Sequence, residues 1–172
     1  MGKTILVTGG ARSGKSRLAE QLAEACGAPL GYIATATAGD AEMAARISRH
    51  QERRGDRWQT IEEPLELSRV LAEHDGRHAA LLVDCVTLWL TNLLLCADDP
   101  APALAAVKEL TRQLPALQST VVLVTNEVGQ GIVPENRLAR IFRDLSGEAN
   151  QLLAAAADDV YVTIAGLPLR LK

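Results

Sequence analysis

Short apolar runs alternate along this chain with longer stretches in which apolar residues recur every three or four positions. Thr4–Thr8 is a β-branched-rich run stopped by Gly9-Gly10, which predicts a first strand. Ser16–Cys26 follows with Leu18, Leu22 and Ala25 at helical spacing, and Gly27-Ala28-Pro29 ends it. Leu30–Ala34 predicts a second strand, and Asp40 an N-cap for a helix reaching about His50. Ala79–Asp84 and Thr120–Thr125 are further strand-length runs, the first closing on an acid and the second leading into Asn126-Glu127. Helical periodicity covers about Leu65–Glu73, Thr87–Leu95, Ala101–Leu114 and Arg137–Ala157. Nearly continuous apolar strands separated by helices point to an α/β domain whose mostly parallel sheet carries helices on both faces. The tail differs: Val160–Ala165, Gly166-Leu167-Pro168 and Leu169–Leu171 predict an antiparallel C-terminal hairpin at one sheet edge.

No repeat, low-complexity tract or long linker interrupts this order, so 1–172 reads as a single domain. Hydrophobic residues make up 48% and aromatics only 3%, which rests the core on Leu, Val, Ile and Ala. A net charge of −3 disfavours non-specific nucleic-acid binding and makes any anion site local. The three cysteines, Cys26, Cys85 and Cys96, lack metal-ligand spacing and fit a reducing setting. The apolar start is too short for a secretory signal, and no stretch approaches the ~18 apolar residues of a membrane span. The expected location is the cytoplasm.

The chemistry begins at Gly9-Gly10-Ala11-Arg12-Ser13-Gly14-Lys15-Ser16, which fits G-x-x-x-x-G-K-[ST] between a predicted strand and a predicted helix. Small residues let backbone N–H groups cradle phosphate oxygens, aided by the positive end of the following helix. Lys15 would neutralise the terminal phosphates and the Ser16 hydroxyl would ligate Mg²⁺. A bare glycine-rich turn is the bland alternative. Asp84, ending a buried run, is the matching candidate for Mg²⁺, or else a cap for the helix after it.

Residues 46–57 hold five arginines and two acids. On a helix, Met43, Ile47 and His50 form one stripe, with Arg46 a turn before His50 and Arg53 and Arg54 a turn after. Guanidinium forks suit polyphosphate oxygens, and nearby cations disfavour the imidazolium, leaving a ring nitrogen able to attack. By itself the pattern better describes a solvated basic helix with a partly buried histidine, since charge runs are usually solvated faces. His74 and His78 are four apart, but Asp75-Gly76 between them predicts a loop rather than a zinc-binding pair. Gly129 and Gly131 suggest unusual backbone angles or close ligand approach after the Thr120–Thr125 run, with Asn126 or Glu127 as site candidates. Leu138, Ile141, Phe142 and Leu145 predict the apolar face of the helix that follows, and Arg137, Arg140 and Arg143 a basic one.

Taken together the chain resembles the bifunctional adenosylcobinamide kinase/adenosylcobinamide-phosphate guanylyltransferase family. The resemblance rests on the phosphate loop, Tyr32-Ile33-Ala34-Thr35-Ala36, Glu42–Ile47 leading to His50, Trp58–Glu62, Asp84–Thr87, Thr91-Asn92-Leu93 and the distinctive block Val124–Pro134, continuing to Arg143-Asp144 and Asn150-Gln151. It implies a P-loop NTPase fold like the nucleotide-binding core of recombination ATPases, and a homotrimer. It implies that His50 becomes covalently guanylylated. It also implies nucleotide contacts from Gly9–Ser16, Ala34, Thr35, Ala36, Gln51, Glu52, Arg53, Arg54, Glu62 and Asp84. ATP and GTP would be substrates, with adenosylcobinamide and its phosphate as acceptors. Some relatives carry glutamate in place of Asp84. The rival readings are another small-molecule P-loop kinase, with residues 46–57 as its arginine-rich lid, and a RecA-like nucleotide-dependent binding protein.

Overall fold

The computed structural model describes residues 1–36 and 55–172. The helix expected from Asp40 to His50 lies outside the described residues. Six strands run parallel in one sheet: β1 (Thr4–Gly9), β2 (Leu30–Ala34), β3 (Trp58–Glu62), β4 (Ala80–Asp84), β5 (Thr120–Val124) and β6 (Asp159–Ile164). The seventh, β7 (Leu167–Arg170), pairs antiparallel with β6, and the order is β3-β2-β4-β5-β1-β6-β7. The helices are α1 (Lys15–Glu24), α2 (Leu67–His74), α3 (Val86–Ala97), α4 (Pro100–Gln113) and α5 (Arg137–Ala156).

Alternation along the strands divides the core in two. Leu6, Ile33, Leu81, Val83, Val121 and Leu123 point to the face covered by α2, α3, α4 and α5. Ile5, Val7, Leu30, Leu82, Val122 and Val124 point to the face where Ala19 and Ala23 of α1 pack. Both sides of the central strands are therefore covered, which is why they read as continuous apolar runs. Trp89, 1% exposed, satisfies its indole N–H on Leu65 O at 2.7 Å and so ties α3 to the start of α2.

Three local features depart from the sequence reading. Trp58–Glu62 forms β3, an edge strand whose Gln59, Thr60 and Glu62 break the apolar pattern that marks the inner strands. The C-terminal hairpin turns in two residues, Ala165 and Gly166, at φ 52° and 82°, so Leu167 and Pro168 belong to the strand rather than the turn. Both central residues with positive φ are the mark of a type I′ turn, which suits strand twist. Pro168 is tolerated because β7 is an edge. Gly129 and Gly131 adopt no positive φ, and an added Cβ would meet nothing closer than Arg143 Cγ at 3.9 Å. The unusual backbone expected there is absent.

Leu81 is fully buried on β4 and lies so close to Gly31 that a Cβ on that glycine would approach its Cδ2 to 2.6 Å. Leu81→Ala should lower unfolding free energy by about 2–5 kcal/mol, the range for buried Leu truncations. A fall in urea midpoint with an unchanged slope is the expected reading.

Candidate active site

Gly9, Ala34, Glu62, Asp84 and the segment after Val124 all stand at the C-terminal ends of parallel strands, the edge where open α/β sheets bind ligands. The phosphate loop leaves β1 there and enters α1. Gly14 takes φ 98° as the residue before the helix, and Arg12 takes φ 54°. Gly10, Ala11 and Arg12 are exposed, Gly14, Lys15 and Ser16 are half-buried, and Ser13 is buried. Lys15 Nζ donates to Gly10 O at 2.9 Å, folding its ammonium back over the loop. The N–H groups of the first turn of α1 have no helical acceptor, so they and the helix dipole form an anion-binding end.

Asp84 ends β4, which is separated from β1 by β5. The strands beside β1 are thus β5 and β6, not the one bearing Asp84. Asp84 Oδ2 accepts from the Tyr32 hydroxyl at 3.0 Å. It does not cap α3, whose N-cap position is Cys85 without a side-chain bond. Burial, and secondarily the Asp84 charge, push the Cys85 thiol up to about 11. Bonds from Leu88 and Thr87 and the positive charge of Lys15 act in the opposite direction, which places that ammonium within electrostatic reach of the β4 end. The hydroxyl of Ser16 and the carboxylate of Asp84 are hard oxygen donors of the kind Mg²⁺ takes alongside water and phosphate. The residues present fit that ion.

Glu127 is brought beside the loop by β5. Its N–H donates to Gly9 O at 3.1 Å, and its Oε1 accepts from the Thr8 hydroxyl at 2.7 Å and from Asn150 Nδ2 at 3.4 Å. Asn150 on α5 also accepts from the Thr125 hydroxyl at 2.8 Å and donates to Asn126 O at 3.2 Å. Asn126 N–H in turn donates to Thr87 Oγ1 at 2.9 Å. Of the two residues weighed from sequence, Glu127 therefore has its carboxylate against the loop strand.

Farther along the edge, Thr35 is fully buried. Its hydroxyl donates to Cys85 O at 2.7 Å and accepts from Cys85 N–H at 2.8 Å. Its side chain is committed to the fold, and so is its N–H, which donates to Asp84 O at 3.3 Å, so the half-buried Ala36 is left to face a ligand. Asn92 on α3 donates to Thr35 O at 2.9 Å and to Pro64 O at 3.1 Å, holding the ends of β2 and β3 together. Glu62 is exposed at the end of β3. At the usual spacing of neighbouring strands, β2 and β3 lie about 14 and about 19 Å from β1. The sequence-predicted contacts thus form one group around the loop and another at the β2–β3 end. His50, Gln51, Glu52, Arg53 and Arg54 lie outside the described residues.

Two other clusters are structural. His78 is buried, with Nε2 3.0 Å from Gln59 Oε1 and Nδ1 3.4 Å from His74 O. Arg140 is drawn back to Pro134 O at 2.9 Å and to Glu135 O, clasping the loop before α5.

A strand–loop–helix phosphate cradle on the edge of a sheet in this order defines a P-loop nucleotide-binding protein of the RecA-like class. The flagellar accessory protein FlaH of Methanocaldococcus jannaschii superposes with a TM-score of 0.55 at 14% identity, over 99% of this chain and 78% of that one. The RadB recombinase does so with a TM-score of 0.52 at 16% identity, over 93% and 73%. Those likenesses concern the fold alone. A family model described as cobinamide kinase / cobinamide phosphate guanyltransferase matches residues 5–171. The bifunctional adenosylcobalamin biosynthesis protein CobP of Pseudomonas aeruginosa is 49% identical, covering 97% of this chain and 96% of that one. The corresponding CobU of Salmonella typhimurium is 46% identical, over 98% and 99%. The chain belongs to the cobinamide kinase/cobinamide phosphate guanyltransferase family.

The thiols give a direct check on this arrangement, since Cys26 and Cys96 are exposed and Cys85 is buried. Native protein at neutral pH should react with a disulfide reagent at Cys26 and Cys96, with Cys85 appearing only on unfolding. Because the folded thiol titrates above its unfolded value, the stability it contributes is full below about pH 9 and falls as pH rises towards about 11. A Cys85→Ser variant should lose that part of the alkaline decline. Reaction of all three thiols in the native state would contradict the buried strand end.

Proposed function

We propose that this protein phosphorylates adenosylcobinamide with ATP or GTP and then transfers GMP from GTP to the product, giving adenosylcobinamide-GDP and pyrophosphate. The observation that carries this reading is the family match over residues 5–171 on a chain whose phosphate loop stands at the junction of β1 and α1.

In the kinase step the hydroxyl on the aminopropanol arm of the corrinoid attacks the γ-phosphorus of the donor. The loop amides and Lys15 stabilise the charge spread over the transferring phosphoryl group. Holding Gly10 O uses one of the three donors of the Lys15 ammonium, and a charge-assisted bond to phosphate is the stronger one. Ser16 and Asp84 would hold Mg²⁺, which supplies further neutralisation of phosphate charge when bound. Gly9–Ser16 carry the phosphates. Residues Ala34–Ala36, together with Glu62, Asp84 and Gln51–Arg54, supply the remaining nucleotide contacts.

In the transferase step a ring nitrogen of His50 attacks the α-phosphorus of GTP, forming a P–N bond as pyrophosphate departs with the P–O electron pair. A phosphate oxygen of adenosylcobinamide phosphate then attacks the same phosphorus, breaks the P–N bond and restores the imidazole. Arg53 and Arg54 hold the leaving pyrophosphate or the incoming phosphate. The protein works in the cytoplasm as a homotrimer. No described helix is long and apolar enough to cross a membrane.

Incubation with GTP labelled at the α-phosphate should leave acid-labile, base-stable label on the denatured protein, mapping to residue 50. His50→Ala should abolish it; full labelling of that variant would remove the transferase assignment. Lys15→Ala should slow the kinase step by at least about 100-fold, as expected for loss of a charge that acts mainly in the transition state. Phosphorylation at the wild-type rate would remove Lys15 from the reaction.

A further inference from the structure

We propose that the C-terminal hairpin sets the shape of the phosphate loop, with Thr163 and Gly166 as positioning residues acting through Ser13. This rests on the reading of Gly9–Ser16 as the phosphate cradle.

Ser13 lies at the centre of that motif, yet its hydroxyl and C=O face the hairpin and its N–H closes a turn within the loop. Its N–H donates to Gly10 O at 3.3 Å, and its C=O accepts from Gly166 N–H at 2.9 Å. Its hydroxyl lies 2.7 Å from Thr163 Oγ1 in a buried contact. Thr163 Oγ1 is also 3.3 Å from Thr8 O, an acceptor only. A hydroxyl has one proton. When Thr163 donates to Thr8 O, Ser13 must donate to Thr163, so the Ser13 proton is spent within the protein. The residue pins the loop rather than donating to a nucleotide, and phosphate binding falls to the neighbouring amides and Lys15.

The glycines around this contact point the same way. A Cβ on Gly9 would lie 2.5 Å from Ser13 Oγ and 2.5 Å from Thr163 Oγ1, so the hydroxyl pair occupies the space of a side chain at that position. A Cβ on Gly14 would lie 3.2 Å from Gly166 Cα. Gly166 itself takes φ 82° in the hairpin turn, which aims its N–H at Ser13. The glycine at each end of the loop is thus explained by contact with the C-terminal hairpin, some 150 residues away in sequence.

The test is the affinity of the full-length protein for GTP, measured by calorimetry well below the melting temperature of each variant. Thr163→Val keeps the β-branched shape and removes the hydroxyl. It should weaken GTP binding about 5- to 30-fold, the factor that one or two kcal/mol of lost positioning represents. Thr163→Ser should restore most of the affinity. Ser13→Ala should weaken binding to a similar extent, and the double variant should be no worse than the poorer single, because both remove one bond. Should Thr163→Val fail to fold, Ser13→Ala reads the same contact from the loop side. Unchanged GTP affinity in the folded variants overturns the proposal, even if their melting temperatures fall, because the contact would then be merely structural. Wild-type protein that binds neither GTP nor ATP overturns the phosphate-cradle reading itself, a result distinct from variants that match a binding wild type.

Discussion

Backbone groups at the end of a parallel strand lose their ladder partners, and in a covered sheet they must find others or remain buried and unpaired. That requirement shapes the functional edge of this protein. At the end of β2 and β4 the Thr35 hydroxyl bonds both backbone groups of Cys85. At the ends of β2 and β3 the Asn92 amide takes two carbonyls. After β5, Thr87 takes the Asn126 N–H, and Asn150 takes the Asn126 carbonyl and meets Glu127. Each of these side chains ties together two segments, so the edge is fixed by short polar residues rather than by apolar packing. What remains exposed between them, Gly10, Ala11 and Arg12, is the part free to meet a ligand.

The sequence showed what local pattern can show. Inner strands were visible as apolar runs because both their faces are covered, and α1 was visible because its start coincides with the phosphate motif. β3 was not, since an edge strand with polar Gln59, Thr60 and Glu62 shares no period with the inner ones. Lys15, Ser16 and Asp84 could be named from strand–loop–helix order alone. Thr163 could not, because its partner lies far away in the chain and nothing in its own surroundings marks it; Asn92 and Asn150 stood out only as part of the family resemblance, and their bonds to distant carbonyls were not legible. The role of His50 is a third case. Its periodicity better describes a solvated basic helix, and only likeness to a known family singles it out.

Sheet order also changes how the acids are read. With β5 inserted between β1 and β4, Asp84 is one strand removed from the loop, and Glu127 stands directly beside it. The two carboxylates thus end different strands, one held by Tyr32 and the other by Thr8 and Asn150.

A phosphate loop has conflicting needs. Its amides must point outward to a ligand, yet a run of small residues without side-chain packing has high conformational entropy and would lose binding energy in becoming ordered. Ordering the loop beforehand requires bonds that leave the phosphate-facing amides unused. Ser13 meets that condition by giving its C=O and hydroxyl to the hairpin and its N–H to Gly10 O, so that the residues on either side need not. The partner for two of those three groups is the β6–β7 hairpin, which gives the antiparallel end of an otherwise parallel sheet a mechanical reason to be there. Removing the hairpin's contact would leave the motif intact in sequence and the cradle poorly shaped in space.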